Sequence, residues 1–296
     1  MKERIEKISR YLEETGQTQA SLARSAGLSP SVVNLILKNT YKGDTESNIS
    51  KIESAIKSSK DKKAVSFKSP EFINTSISKK IFNALSEAQS VSIPRILVLY
   101  GDSGIGKTKT IEAYIEENST ATMIEIRPDF TIKAVLQTIA QEIGVSTQGA
   151  NFEITNRIIH KLKGSYRMLV FDEAEYLSAR SLDIIRRIYD KSQAPIVLVG
   201  MPNLYHNIKS LRKGFEQIAN RMVSYNLEKP TKKDLISIIE SCIPNTEESV
   251  RSALVDSSKG TIRTLILLMQ DLVNWSALTE NKITAKQVVS FVNSMH

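Results

Sequence analysis

An apolar run, Ile96-Leu97-Val98-Leu99-Tyr100, leads directly into Gly101-Asp102-Ser103-Gly104-Ile105-Gly106-Lys107-Thr108. This is a complete G-x-x-x-x-G-K-[ST] phosphate-binding loop in the context its mechanism requires. A buried strand delivers the chain to a glycine-permitted turn whose backbone N–H groups point at phosphate oxygens, and the following helix adds the positive end of its dipole. The pattern predicts that Lys107 reaches the β- and γ-phosphates and that the Thr108 hydroxyl ligates Mg²⁺.

A second apolar run, Met168-Leu169-Val170-Phe171, ends in the adjacent carboxylates Asp172 and Glu173. Neighbouring side chains on a strand point to opposite faces, so the pair can divide its labour at the strand's C-terminal end. Asp172 is expected to hold Mg²⁺ through water, and Glu173 to orient and polarise the attacking water. An Asp-Glu strand end is common by itself. One that follows a phosphate loop by the length of a crossover points to hydrolysis of a nucleoside triphosphate.

Both motifs belong to an alternating pattern. Strands are expected near Ile96–Tyr100, Met123–Ile126, Met168–Phe171, Ile196–Val199 and Met222–Leu227, most of them separated by helical stretches such as Ile132-Val135-Leu136-Ile139-Ile143. The alternation predicts an α/β fold, a parallel sheet with helices on both faces, over residues 71–228. From 229 to 296 strand signals fade and a helical lid is expected. Thr231 to Asp234 reads as a capping box with Asp in place of the usual Glu, and further helices are expected near 247–256, 261–278 and 284–292. A lid beside a nucleotide sheet can change its angle with the bound phosphate state.

Residues 1–57 read as a small all-helical domain. After the amphipathic set Ile5-Ile8-Leu12 come two short helices, with Leu22 and Ala23 on an apolar face, Gly27 at a position that tolerates positive φ, Ser29 as a cap and Pro30 at the first helical position. Two helices joined in this way form a helix-turn-helix signature, and the stretch resembles the helix-turn-helix domains of the Cro and repressor class. That resemblance implies that the helix from Pro30 to Leu37 lies in a major groove. Ser31, Val32 and Asn34 would be nearest the bases, with Asn34 on adenine and Val32 on a thymine methyl. A protein-docking module of the same shape is the alternative. Residues 58–70, SSKDKKAVSFKSP, are rich in Ser and Lys without sustained helical periodicity and are expected to form a basic linker.

Forty Lys and Arg against 32 Asp and Glu leave a formal charge of +8, an excess that suits a polyanion, with nucleic acid as the first candidate. A merely solvated basic surface is the other reading. No run approaches the roughly 20 apolar residues that cross a bilayer, so no membrane association and a cytoplasmic location are expected. Cys242 is the only cysteine, which rules out an intrachain disulfide. With Ile238, Ile239 and Ile243 around it, it reads as a small buried residue. His160, His206 and His296 show no metal-ligand spacing.

The phosphate loop, the Asp-Glu strand end, the later Val197-Leu198-Val199-Gly200 run and the helical lid together resemble an AAA+ ATPase. With the helix-turn-helix in front, the arrangement resembles, across nearly the whole chain, the transposition ATPases of the phage Mu type. The correspondence is closest at Ala26-Gly27-Leu28-Ser29 with Tyr41-Lys42-Gly43-Asp44, at Phe171-Asp172-Glu173-Ala174 and at Gly260-Thr261-Ile262-Arg263. The resemblance implies ATP and Mg²⁺ as cofactors, self-assembly as helical filaments on double-stranded DNA, target selection, and recruitment or activation of a transposase. It implies that Arg221 reaches the γ-phosphate of a neighbouring subunit and that Arg263 senses nucleotide in its own subunit. Met201 stands where the family usually has a polar residue, which leaves Asn203 as the substitute. It places DNA-contacting loops after the second strand and before the Asp-Glu strand, with Lys133, following Thr131, as first candidate, then Arg157, Lys161 and Lys163. Two other functions stay open: a helix-turn-helix transcription regulator whose oligomeric state ATP controls, and a replication initiator or helicase loader. The short basic lid without a winged helix weighs against the initiator.

Overall fold

The computed structural model describes residues 2–64, 67, 72–90, 96–210 and 222–294. The chain divides into two compact units, Met1–Lys68 with Val273–Lys282 and Ser69–Leu272 with Ile283–His296.

In the first unit the apolar stripe of α1 (Lys2–Thr15) meets α2 (Gln19–Ser25), α3 (Pro30–Leu37) and α4 (Thr45–Ala64). Ile5, Ile8, Leu22, Ala23, Val33, Ile36, Ile49 and Ile52 are buried together. The turn between α2 and α3 forms as its residues dictate. The Thr18 and Ser29 hydroxyls accept the N–H groups of Ser21 and Val32 at 3.2 and 3.3 Å, and Gly27 takes a φ of +66°, left-handed backbone that a residue with a Cβ resists. Arg4 ties α1 to α4, its guanidinium donating to Glu53 at 2.8 and 2.6 Å and to Glu46. Ser31, Asn34 and Leu35 are exposed on α3, as is Lys38 at its C-terminal cap. Val32 is not on that open face. It is half-buried against the unit's own core, because it sits one residue from the buried Val33 and four from Ile36 on a helix that turns 100° per residue.

The linker expected at 58–70 begins inside a helix. α4 opens where the Asp44 carboxylate accepts the Ser47 N–H at 3.1 Å and continues as far as Ala64. A nucleated helix extends readily through Lys and Ala, which is why a stretch without apolar periodicity is helical here. Residues 65, 66 and 68–70 lie outside the described residues.

The second unit holds α5 (Ser76–Ser90), β1 (Ile96–Gly101), α6 (Lys107–Glu117), β2 (Ala121–Glu125), α7 (Ile132–Glu142), α8 (Asn151–Leu162), β3 (Met168–Asp172), a 3₁₀ turn (Ala174–Tyr176), α9 (Ala179–Ser192), β4 (Ile196–Gly200), α10 (Pro202–Ser210) and β5 (Met222–Leu227). The strands pair in parallel in the order β2-β3-β4-β1-β5. Val98, Ile124, Leu169, Phe171 and Leu198 pack on one face against Leu136 and Ile139 of α7, Ile154 and Ile158 of α8 and Ile185 of α9. Their neighbours Leu97, Leu99, Val170, Val197 and Val199 pack on the other face against Ile81 and Leu85 of α5 and Ile111 and Tyr114 of α6. Every position of β3 and β4 is buried, so these strands read as continuous apolar runs instead of alternating.

Four helices follow: α11 (Lys232–Cys242), α12 (Glu248–Ser257), α13 (Ile262–Thr279) and α14 (Ala285–Ser294). The capping box opens α11, with Asp234 N donating to Thr231 Oγ1 at 3.2 Å and Thr231 N donating to Asp234 Oδ2 at 2.8 Å. Residues 229–272 and 283–296 fall in the same unit as the sheet. Among the described residues, no helix is long and apolar enough to cross a membrane. The order of strands sets β4 between β1 and β3, so the C-terminal ends that carry Gly101, Gly200 and Asp172 lie side by side. In open α/β sheets, ligands bind in the crevice beyond those ends.

Candidate nucleotide site

The loop after β1 takes the conformation its glycines permit, with φ of +75° at Gly104 and +95° at Gly106, which caps α6. Gly101 is required for a different reason. A Cβ there would lie 2.5 Å from the carbonyl oxygen of Leu227 and 2.9 Å from Ile105 Cδ1, so the bare backbone lets β1 and β5 approach. Gly101→Ala is expected to overpack this contact at a cost of about 1–3 kcal/mol, read as a lower Tm of the full chain. An unchanged Tm would refute the close approach.

Lys107 Nζ donates to the carbonyls of Gly101 and Asp102, both at 2.8 Å. Burial pushes its ammonium below the ordinary lysine range, while Asp172, Glu175 and Asp102 pull it back. Thr108 Oγ1 donates to Asp172 Oδ2 at 2.6 Å, and Asp172 Oδ1 accepts the Glu173 N–H at 3.0 Å. Asp172 is only 2% exposed. A buried carboxylate beside a loop hydroxyl is a set of hard oxygen donors, which fits Mg²⁺, an ion that fills its octahedron with waters and substrate phosphate oxygens. Among the described residues, no three His, Cys, Asp or Glu converge on a cation site of their own.

Glu173 turns the chain out of β3 with a φ of +53°, an uncommon conformation for a residue with a Cβ. Its side chain is exposed. Partial desolvation and the carboxylates of Asp172, Glu175 and Glu125 push its carboxyl above the usual glutamate range, against the pull of Arg263. Arg263, in the first turn of α13, meets the phosphate loop twice: its N–H donates to the Gly104 carbonyl at 3.1 Å and its Nη1 to Ser103 Oγ at 3.2 Å. Lys229 Nζ lies 3.9 Å from Asp102 Oδ2.

At the end of β4, Met201 is 40% exposed and offers no polar side chain. The polar group at that level is Glu175, whose Oε2 accepts the Met201 N–H at 3.2 Å, and a Cβ at Gly200 would collide with the same carboxylate. Glu175 is legible only as a third acid closely following the Asp172-Glu173 pair. Asn203 is exposed in the first turn of α10. Arg221 lies outside the described residues.

A cavity of about 470 Å³ adjoins the loop, walled by Ile73, Gly106, Thr110, Ile238, Ile262 and Ile266. Its lining is mainly apolar and it opens beside the phosphate cradle, as a site for a flat heterocycle should. Apart from Gly106 of the phosphate loop and Ile262 beside Arg263, nothing in the sequence singled these residues out.

The candidates for nucleic-acid contact do not form one set. The Thr131 hydroxyl is engaged as the cap of α7, accepting the Ala134 N–H at 3.2 Å, and Lys133 is exposed in the first turn of that helix. Arg157 does not stand free. Its guanidinium donates to the carbonyls of Ser146, at 3.1 Å, and Gln148, pinning the loop between α7 and α8, because a half-buried arginine is held where carbonyls satisfy it. Lys161 and Lys163 are exposed at the end of α8. Arg127, not singled out from sequence, lies over the Phe130 ring at 5.0 Å, on the segment between β2 and α7. His160 and His206 are exposed, and His296 lies outside the described residues. Cys242 is half-buried, and burial pushes its thiol up.

Comparison with known proteins agrees with this geometry. Residues 92–208 match the AAA domain family. The chain is 28% identical over 273 residues to the Mu-like prophage FluMu DNA transposition protein B of Haemophilus influenzae, covering 88% of this chain and 93% of the relative. It is 25% identical over 246 residues to the ATP-dependent target DNA activator B of Escherichia phage Mu, covering 80% and 76%. Among solved structures, the Aeropyrum pernix ORC1 protein in complex with DNA superposes with a TM-score of 0.55 at 17% identity, over 75% of this chain and 66% of that one. CDC6P from Pyrobaculum aerophilum gives 0.54 at 18%, over 74% and 67%; both show likeness of fold alone. The phosphate loop and the five-stranded parallel sheet give the core of this chain the fold of the AAA domain family, which residues 92–208 match, in a chain similar over most of its length to the transposition B proteins of phage Mu and a Mu-like prophage.

Proposed function

We propose that this chain is an ATPase that activates target DNA for transposition: it binds double-stranded DNA with ATP, assembles on it as a helical filament, and recruits or activates a transposase. The observation that carries the reading is the meeting of Lys107, the Thr108–Asp172 pair, Glu173 and Arg263 around one loop, in a chain similar to relatives named a DNA transposition protein and an ATP-dependent target DNA activator.

In this reading Lys107 exchanges the Gly101 and Asp102 carbonyls for the β- and γ-phosphates of ATP. Thr108 and Asp172 hold Mg²⁺, Asp172 through water, and the ion when bound neutralises phosphate charge. Glu173 orients the attacking water and polarises it. Arg263 senses the phosphate state, and because its own N–H is bonded to Gly104, a shift of the loop is passed directly to α13. Arg221 acts on a neighbouring subunit's nucleotide, and Asn203 serves as the polar sensor beyond β4. Lys133, Lys161 and Lys163 contact DNA phosphates, while Ser31, Asn34 and the rest of the open face of α3 form the helix-turn-helix contact. We place the domain boundaries near residues 70 and 228 and the protein in the cytoplasm, with hydrolysis stimulated by DNA.

Electron microscopy of the full chain with ATP and duplex DNA of arbitrary sequence tests the whole reading. Filaments on any sequence are expected, and none with Lys107→Ala. Binding should weaken linearly in log–log salt plots by about 0.9 per phosphate contacted. Tight, sequence-selective binding without filaments would instead establish an ATP-controlled regulator.

A further inference from the structure

One carboxylate joins two helices that lie far apart in the chain. Asp234, in the first turn of α11, accepts four hydrogen bonds: from Ser76 N at 2.8 Å, Ser76 Oγ at 2.6 Å, Thr231 N at 2.8 Å and Thr231 Oγ1 at 2.7 Å. The Thr231 N–H bond is half of the capping box of α11, and the Thr231 hydroxyl bond reinforces it. The Thr75 hydroxyl caps α5 from within its own segment by accepting the Ser78 N–H at 3.1 Å, whereas the Ser76 N–H, another first-turn donor left open by the helix, finds its acceptor on a different helix. The Ser76 contacts therefore serve to join the helices. Burial pushes the Asp234 carboxyl up, yet the donors from Ser76 and Thr231 outweigh it and hold the group below the usual carboxylate range.

What the bridge joins is the base cavity. Ser76 directly follows Phe72, Ile73 and Thr75, which line one wall of that cavity, and Ile238, one helical turn beyond Asp234, lines another. We propose that Asp234, through Ser76, is a positioning residue for nucleotide binding: it clamps the segment before α5 to α11 and so keeps the apolar cavity closed around the base. The claim rests on the ATP-binding reading above. It predicts a defect confined to the base, because Lys107, Thr108 and Ser103 hold phosphate without help from Asp234.

The test compares ATP with inorganic tripolyphosphate, which offers phosphates and no base, by calorimetry on the full-length chain. Asp234→Ala should weaken ATP by about tenfold, as expected for losing hydrogen bonds to a charged group, while tripolyphosphate affinity changes less than about twofold. Ser76→Ala removes one of the two bridging bonds and leaves the capping box of α11 intact, so it should weaken ATP by about threefold in the same selective way. This second variant decides the matter if Asp234→Ala does not fold. Both variants binding ATP like the unaltered chain, or losing ATP and tripolyphosphate equally, would overturn the proposal. An unaltered chain that binds neither ligand would overturn the ATP-binding reading itself.

Discussion

Lys107→Ala should abolish ATP binding and every ATP-dependent assembly. The side chain has two roles in this loop. It supplies the compact positive charge that β- and γ-phosphates need, and without nucleotide it satisfies the carbonyls of Gly101 and Asp102. Alanine removes the charge and leaves both carbonyls short of a donor, so the loop loses its ligand and part of its own order. The measurement is the stabilisation conferred by ATP. Ligand at 100 times its Kd adds about 2.7 kcal/mol to the folded state, and the variant should show no shift in Tm under conditions where the unaltered chain does. Lys107→Arg should fail as well, because a planar fork does not replace a point charge between two phosphates. An undiminished shift in Lys107→Ala would remove the residue from the site.

Glu173→Gln should separate binding from chemistry. The substitution keeps the shape of the side chain and leaves the Asp172–Thr108 pair untouched, but an amide cannot take a proton from water. Nucleotide should therefore bind normally while hydrolysis falls by about 10²–10⁴, and ATP-bound assemblies should persist where those of the unaltered chain turn over. Single-turnover hydrolysis measured beside nucleotide affinity checks it. A normal rate would exclude Glu173, and Glu175, the next carboxylate along, would then be the residue to examine.

These effects are legible in the sequence for a physical reason. Strands buried on both faces appear as uninterrupted apolar runs, and the phosphate loop is a contiguous motif whose local geometry its own glycines permit. The strand positions and the Thr231–Asp234 box follow the expectations closely. What sequence does not show is anything assembled from distant segments. The base cavity draws ordinary isoleucines from positions as far apart as Ile73 and Ile266, and the Asp234–Ser76 bridge spans 158 residues. Nor does charge alone reveal whether a cation faces solvent. Arg157 and Lys133 are both candidates from sequence, yet the fold of the α7–α8 loop gives one of them carbonyl partners and leaves the other exposed. The overrun of α4 shows the same limit in helix boundaries, which propensity can extend where no apolar face marks them.

The strand order has a consequence for how the molecule is made. β1 lies between β4 and β5, and its first residue, Ile96, pairs with Ile196 and Met222, 100 and 126 residues further along the chain. On a ribosome adding about 5–20 residues per second, the strand that carries the phosphate loop waits roughly 5–20 s before β4, the first of its partners, exists. During that interval its apolar run is exposed on both edges. Parallel pairings of such long range form slowly, so the nascent chain is most vulnerable to aggregation just before β4 emerges. Nucleotide cannot rescue it earlier, since the loop acquires its shape only when its strand is seated in the sheet.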